Sequence, residues 1–194
     1  APGEPGTIVA RTRSAVLVRT GDGGLWIGHA RRLAPEAPGT TVVNYYFNSV
    51  YIGGSGVASS SPTFAFNGSA LTSTRAYVDN IFWNARSNAS GAGKNYAISL
   101  AGTAPNPAGL TSNYNDLYAT GTGGFVGLFN AIDQTTLTDW QAATGQDANS
   151  ISVNPSFVNP NGSAATGDIH IQSGSPVLAA GTPIAAITND FDND

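Results

Sequence analysis

Apolar residues in this chain come in short runs that alternate with polar positions and are cut off by Gly, Asn and Ser. Three of these runs share one pattern of Asn, any residue, an apolar residue and an aromatic. They are Asn48-Ser49-Val50-Tyr51, Asn80-Ile81-Phe82-Trp83 and Asn115-Asp116-Leu117-Tyr118, with the Asn positions 32 and 35 residues apart. A Gly/Ser/Asn-rich stretch follows each (residues 53–56, 87–93 and 121–124) and leads into a second apolar run. Those second runs are Phe64-Ala65-Phe66, Tyr96-Ala97-Ile98 and Phe125-Val126-Gly127-Leu128-Phe129. Two offset features recurring in step mark a structural repeat. Helical solenoids also use periods near 34. Runs this short, with a period of two and many aromatic and β-branched residues, are nevertheless strands. The pattern predicts an all-β chain in which each coil carries two or three strands and stacks on the next at the strand spacing of ~4.8 Å. One short helix is predicted near 136–144, with Thr136 or Thr138 as its N-cap and Gly145 as its stop.

In such a stack the repeated Asn48, Asn80 and Asn115 sit at corners, where each amide bonds to the same group in the neighbouring coils as a ladder. Asn also tolerates the left-handed backbone of a sharp corner. Tyr51, Trp83 and Tyr118 then form a row, packed in register inside the stack or along one face. The alternative is that the row is an exposed ligand-binding strip for sugars.

The blocks Tyr77-Val78-Asp79-Asn80-Ile81-Phe82-Trp83-Asn84 and Gly109 to Tyr118 resemble bacterial secreted right-handed parallel β-helix repeat proteins, the pectate-lyase-like superfold. Residues 139–150 resemble them too, and Asp168-Ile169-His170-Ile171-Gln172-Ser173-Gly174-Ser175-Pro176 looks like their closing coil. The likeness spans residues ~40–194 and implies a right-handed parallel β-helix, or β-solenoid. Members often continue with Asp-x-Asp-Gly; here Asp190-Phe191-Asp192-Asn193-Asp194 has Asn193 where that Gly is expected. The superfold hosts lyases, hydrolases, adhesins and proteins of unknown role, so the resemblance bears on fold more than on activity.

The first 33 residues read differently. Three short strands, Thr7 to Arg11, Ala15 to Arg19 and Leu25 to Gly28, surround a hairpin turn at Thr20-Gly21-Asp22-Gly23. Pieces of this segment look loosely like the small C-terminal β-barrel of formyltransferases, over too little chain to carry a function. Residues 1–39 are expected to form a cap or attached segment, with a seam at Pro35-Glu36-Ala37-Pro38-Gly39, and residues 40–194 the β-helix domain.

Composition narrows the function classes. Charged residues make up 10% of the chain against about 25% in typical soluble domains. With 41% hydrophobic residues it is still rich enough in apolar side chains to bury a core. No cysteine is present, which excludes disulfides, thiolate catalysis and Cys-based metal sites. All eight basic residues lie at or before Lys94, and Asp116, Asp133, Asp139, Asp147, Asp168, Asp190, Asp192 and Asp194 follow unbalanced. That acidic half argues against a nucleic-acid partner, and no apolar run is long enough for a membrane span. The start Ala1-Pro2-Gly3 fits a trimmed chain from which any export signal has gone, and the expected location is extracellular or at the cell surface.

Candidate chemistry is sparse. A polysaccharide lyase needs a basic residue near calcium-binding carboxylates, and within the coils only Arg75, Arg86 and Lys94 qualify. Arg86 and Lys94 flank the loop 87–93, where a solvated charge is the simpler account. A glycosidase pair at Asp79 and Asp116 is undermined by their offset from the repeated Asn. His29 and His170 have no partner ligand nearby, and alternation turns His170 to the surface. No Gly-x-Ser-x-Gly elbow or P-loop ending occurs. The alternate carboxylates Asp190, Asp192 and Asp194 are the candidate metal ligands, for calcium; no other cofactor is expected. No catalytic residue is assigned. The expected function is an extracellular structural or adhesive β-solenoid, which would associate end to end into a filament if the amino-terminal strands leave one end uncapped. The alternative is a polysaccharide-binding or polysaccharide-cleaving protein on the same fold.

Overall fold

The structure is a computed structural model that describes residues 8–11, 15–19, 24–28, 42–69, 73–90, 92–185 and 187. Among these, strands dominate and there is one helix. After the antiparallel strands β1 (Ile8–Arg11), β2 (Ala15–Arg19) and β3 (Gly24–Gly28), the chain repeats one itinerary. Its first pass is β4 (Val42–Tyr46), β5 (Ser49–Ile52), β6 (Ser55–Val57) and β7 (Thr63–Gly68). The second is β8 (Thr74–Val78), β9 (Ile81–Asn84), β10 (Ser87–Asn88) and β11 (Asn95–Leu100). The third is β12 (Leu110–Asn113), β13 (Asp116–Ala119) and β14 (Gly124–Phe129).

Each strand pairs in parallel with its counterpart in the next pass: β4 with β8 and β8 with β12, β5 with β9 and β9 with β13, β6 with β10, β7 with β11 and β11 with β14. Parallel neighbours need a long return path. Here the return path is the rest of the same pass. Registers follow the sequence repeat, with Tyr51 opposite Trp83 and Trp83 opposite Tyr118.

Alternation sorts the middle sheet into two faces. Val50, Phe82 and Leu117 enter the main core with Ala97, Ile98, Leu100, Val126 and Phe129. Tyr51 and Trp83 point the other way into a second cluster. The turn before each β-strand of this sheet is left-handed, but not at the Asn expected from the sequence. The residue ahead of it takes that backbone: Phe47 (φ 55°), Asp79 (φ 59°) and Tyr114 (φ 57°). A non-Gly residue in this region costs roughly 1–2 kcal/mol. The buried Asn amide that follows compensates by bonding across the corner.

Beyond β14 the pattern changes. β15 (Ile132–Gln134) folds back antiparallel on β14, and α1 (Leu137–Thr144) follows. Thr136 caps the helix in a reciprocal capping box with Asp139, and Gly145 closes it with a left-handed backbone (φ 63°). Trp140, fully buried, packs on Gly127, where an added Cβ would lie 2.2 Å from Trp140 Cε3. Residues 146–151 then run beneath the third pass: Ile151 bridges Asp116 in parallel, and Asp147 N–H donates to Ser112 O (2.8 Å). The antiparallel hairpin of β16 (Phe157–Asn159) and β17 (Asp168–Ile171) completes the strands. At the other end, β3 pairs antiparallel with β5. Among the described residues no helix is long and apolar enough to cross a membrane.

Candidate functional site

The three repeated Asn residues are bonded to one another. Asn48 Nδ2 donates to Asn80 Oδ1 (2.8 Å), and Asn80 Nδ2 donates to Asn115 Oδ1 (2.9 Å). Each acceptor also takes the backbone N–H of the Asn before it, at 3.0 Å in both cases. All three side chains are buried. The ladder has a further rung. Asn115 Nδ2 donates to Asp147 Oδ1 (3.0 Å), and Asn115 N–H donates to Ser150 Oγ (2.8 Å). Asp147 is buried but well satisfied, since Ser112 Oγ, Ser150 Oγ and Trp140 Nε1 also donate to it. The motif search misses this rung because a hydroxyl and a carboxylate replace the amide. The 35-residue step from Asn115 to Ser150 is the signal that reveals it.

A second buried polar network lies where the middle sheet passes to β7, β11 and β14. Asn84 Nδ2 donates to Thr63 Oγ1 (3.1 Å) and Tyr96 O (2.9 Å), and Thr63 Oγ1 donates to Asn95 Oδ1 (2.8 Å). Asn88 Nδ2 donates to Gly93 O, tying off the glycine-rich loop. Arg86 beside it is buried, not solvated as its loop position implied. Lys94 is exposed: it pairs with Asp133 and lies over the Phe125 ring. Burial pushes the Asp133 carboxyl up, but hydrogen bonds from Lys94 and Tyr96 and the Lys94 charge hold it below the usual carboxylate range.

The aromatic row is continuous, with ring centroids 4.7 Å apart for Tyr51 and Trp83 and 5.8 Å for Trp83 and Tyr118. It does not offer an open strip. Phe157 of β16 lies 6.4 Å from the Tyr51 ring and 5.7 Å from that of Trp83, and Ile169 and Ile171 of β17 join the cluster. Tyr51 is 4% exposed, and its hydroxyl donates to Asn161 Oδ1 (2.8 Å). Trp83 and Tyr118 remain half-buried, and Trp83 Nε1 donates to Thr120 Oγ1 (3.2 Å). A sugar stacking on Tyr51 would have to displace the hairpin. Packing of this kind uses the row as a hydrophobic seam.

Backbone on either side of this hairpin, at Val153 and Thr182, holds two further carboxyls. Asp116, 3% exposed, accepts from Val153 N–H at Oδ1 (3.0 Å), while its Oδ2 is buried with no partner among the described residues. Burial pushes it up to about 7, with the Val153 bond opposing. Asp79 accepts from Thr182 N–H (2.8 Å), has an equally orphaned Oδ2 and is likewise raised by burial, with the Thr182 bond opposing. Each carboxyl has its own backbone partner, and no bond joins the two. A glycosidase pair needs both groups open to a shared cleft. His170 is exposed and reaches Asp168 through Nδ1 (2.6 Å). Asp190, Asp192, Asp194 and His29 lie outside the described residues. Among the described ones no group of three acidic or histidine side chains forms a metal cluster.

No family model, curated protein or solved structure matches this chain.

Proposed function

We propose that the chain is a right-handed parallel β-helix serving outside the cell as a structural or adhesive β-solenoid, with residues 1–39 as a cap and end-to-end contact between copies. The observation that carries this reading is the coincidence of two independent repeats. Parallel ladders join counterpart strands of three passes, and a buried amide ladder runs across the same passes. A stack held by such ladders is stiff in one dimension, which suits a spacer or surface element more than a hinged enzyme. The polar groups of the ladder and the aromatic row are spent on structure: the Asn amides on each other and Tyr51 on Asn161.

Support for association comes from the first pass. Only its β5 is covered by β3, and among the described residues the outer edges of β4, β6 and β7 have no strand partner. Such edges invite pairing. Tyr45, 37% exposed, sits on β4 beside Phe66 (5.2 Å between ring centroids). Light scattering across a hundredfold concentration range tests the proposal. Growing species, reduced by Tyr45→Lys, are expected; a strict monomer at high concentration removes the association. A polysaccharide panel tests the role itself. Cleavage lost in Lys94→Ala or Asp116→Ala would replace this reading with an enzymatic one.

A further inference from the structure

Residues 153–182 lie on the stack without joining its parallel sheets. Ile151, just before them, is still held by the third pass: its N–H donates to Asn115 O (2.8 Å), and its carbonyl accepts from Leu117 N–H (2.9 Å). Beyond it β16 and β17 pair with each other and, among the described residues, with no other strand. The segment closes on itself, with Gln172 N–H donating to Ser156 O (3.0 Å) and Ser175 Oγ to Pro155 O (2.7 Å). Three hydrogen bonds tie it to the stack. Tyr51 Oη donates to Asn161 Oδ1 (2.8 Å), Val153 N–H to Asp116 Oδ1 (3.0 Å) and Thr182 N–H to Asp79 Oδ1 (2.8 Å). Two of the three end on carboxyls.

Each carboxyl gives one oxygen to the segment, and its other oxygen, Oδ2, is buried with no partner among the described residues. Protonated, such a group holds its backbone donor without burying a charge. Ionised, it is a buried charge with a single hydrogen bond, which is strongly disfavoured. The charged side chains on the elements around the pair are Arg75 on β8, Arg86 beyond β9, Asp147 beneath the third pass, and Asp168 with His170 on β17. The other titratable neighbours are tyrosines: Tyr46 on β4, Tyr77 on β8 and Tyr118 on β13. None of these groups contributes to the shift of either carboxyl; burial raises both, and one backbone N–H opposes it in each case. Movement of the segment is therefore what can relieve the charge, by admitting water to it.

We propose that residues 153–182 form a proton-held cover, which stays on the Tyr51, Trp83 and Tyr118 row while Asp116 and Asp79 are protonated and lifts from it when they ionise. The cover swings from the Ile151 bridge, and its lifting uncovers the aromatic seam now packed against Phe157, Ile169 and Ile171. A hairpin with no ladder to the stack opens as a local unit, at lower free energy than the strands beneath it.

Hydrogen–deuterium exchange of the full chain at pH 5 and pH 8, corrected for the intrinsic effect of pH on amide exchange, tests this. With a folded-state value of about 7 for Asp116 against 3.8, that group alone should lower the protection of the β16 and β17 amides roughly a hundredfold between the two conditions. At pH 8 those amides should exchange well before the amides of β9 and β13. Asp116→Asn keeps an oxygen for Val153 N–H and cannot ionise, so it should remove most of the pH effect on the hairpin; Asp79→Asn should remove part of it. If Asp116→Asn does not fold, the wild-type exchange and Asp79→Asn decide. Hairpin and β9 amides exchanging together at both pH values would mean global unfolding and overturn the proposal. So would hairpin protection that is equal at the two pH values, or a pH effect undiminished in the folded variants.

Discussion

Replacing the middle rung of the ladder should cost far more than replacing the first. Asn80 Oδ1 accepts from both Asn48 N–H and Asn48 Nδ2, and Asn80 Nδ2 donates to Asn115 Oδ1, Tyr45 O and Val78 O. In Asn80→Ala the buried Asn48 N–H loses its acceptor, a penalty of about 1–3 kcal/mol, and the other lost bonds add about 1 kcal/mol each where no substitute forms. Asn48 Nδ2 keeps Tyr46 O, and Asn115 Oδ1 keeps the Asn80 N–H, which limits the total. The expected loss is about 3–5 kcal/mol, a large part of the ~5–15 kcal/mol available to a domain. Asn48→Ala leaves no donor stranded, because Asn80 Oδ1 still receives the Asn48 N–H. Its cost should be about 1–2 kcal/mol. Urea unfolding with an unchanged m-value measures both, with the exposed Asn67→Ala as a surface control expected within ~0.5 kcal/mol of wild type. Should Asn80→Ala prove no more damaging than Asn48→Ala, the amides do not form a buried ladder and the stacking argument fails.

Burial raises the folded-state pKa of Asp116 to about 7 against an ordinary 3.8, so the fold holds an extra proton between these values. Stability should therefore be fullest below pH ~4 and fall by up to about 4 kcal/mol as pH rises to ~7. Asp116→Asn should flatten that slope in pH-dependent urea melts, and an unchanged slope would refute the assignment. Gly127→Ala places a Cβ 2.2 Å from Trp140 Cε3 and should cost about 2–4 kcal/mol, partly relieved in a Gly127→Ala, Trp140→Phe double variant; strict additivity in calorimetry would contradict the contact. Phe157→Ala should cost about 3 kcal/mol and red-shift Trp83 emission, whereas unaltered fluorescence would mean that the hairpin does not cover the row. Thr136→Ala removes the cap bond to Asp139 N–H and should lose about 1 kcal/mol, and a neutral result in the same melts would count against the capping box.

What could be read from the chain was whatever recurs. Asn48, Asn80 and Asn115 announce themselves because the same bond is made in each pass by the same residue, and the aromatic beside them shares their phase. The capped helix was visible because capping is local chemistry, complete within Thr136, Asp139 and Gly145. Features that satisfy a geometric need with changing residues left no shared residue to search for, only a spacing. Phe47, Asp79 and Tyr114 share a left-handed backbone and nothing else, and Ser150 and Asp147 end the ladder without an amide. Non-repeating contacts were equally hidden. Asn161 reaches Tyr51 across 110 residues and Thr182 reaches Asp79 across 103, and no local pattern encodes either. The burial of Arg86 was missed because a charge beside a loop reads as solvated until the neighbouring passes are stacked around it.

The ladder also has a direction, and this makes the two ends of the stack unequal. Every amide donates forward, from Asn48 to Asn80 to Asn115, and the last donates to the Asp147 carboxylate. A carboxylate only accepts. It therefore orients Asn115, which orients Asn80, which orients Asn48, and the reverse arrangement would set oxygen against oxygen at Asp147. The series closes there, on a carboxylate that also accepts from Trp140 Nε1. At the opposite end Asn48 Oδ1 is the acceptor at which a further rung would bind, and the β4, β6 and β7 edges beside it carry no strand among the described residues. If copies pair as proposed above, the uncovered edges of the first pass are where they would meet. Two copies meeting there would join first pass to first pass, so the physical expectation is a closed dimer and not an open filament.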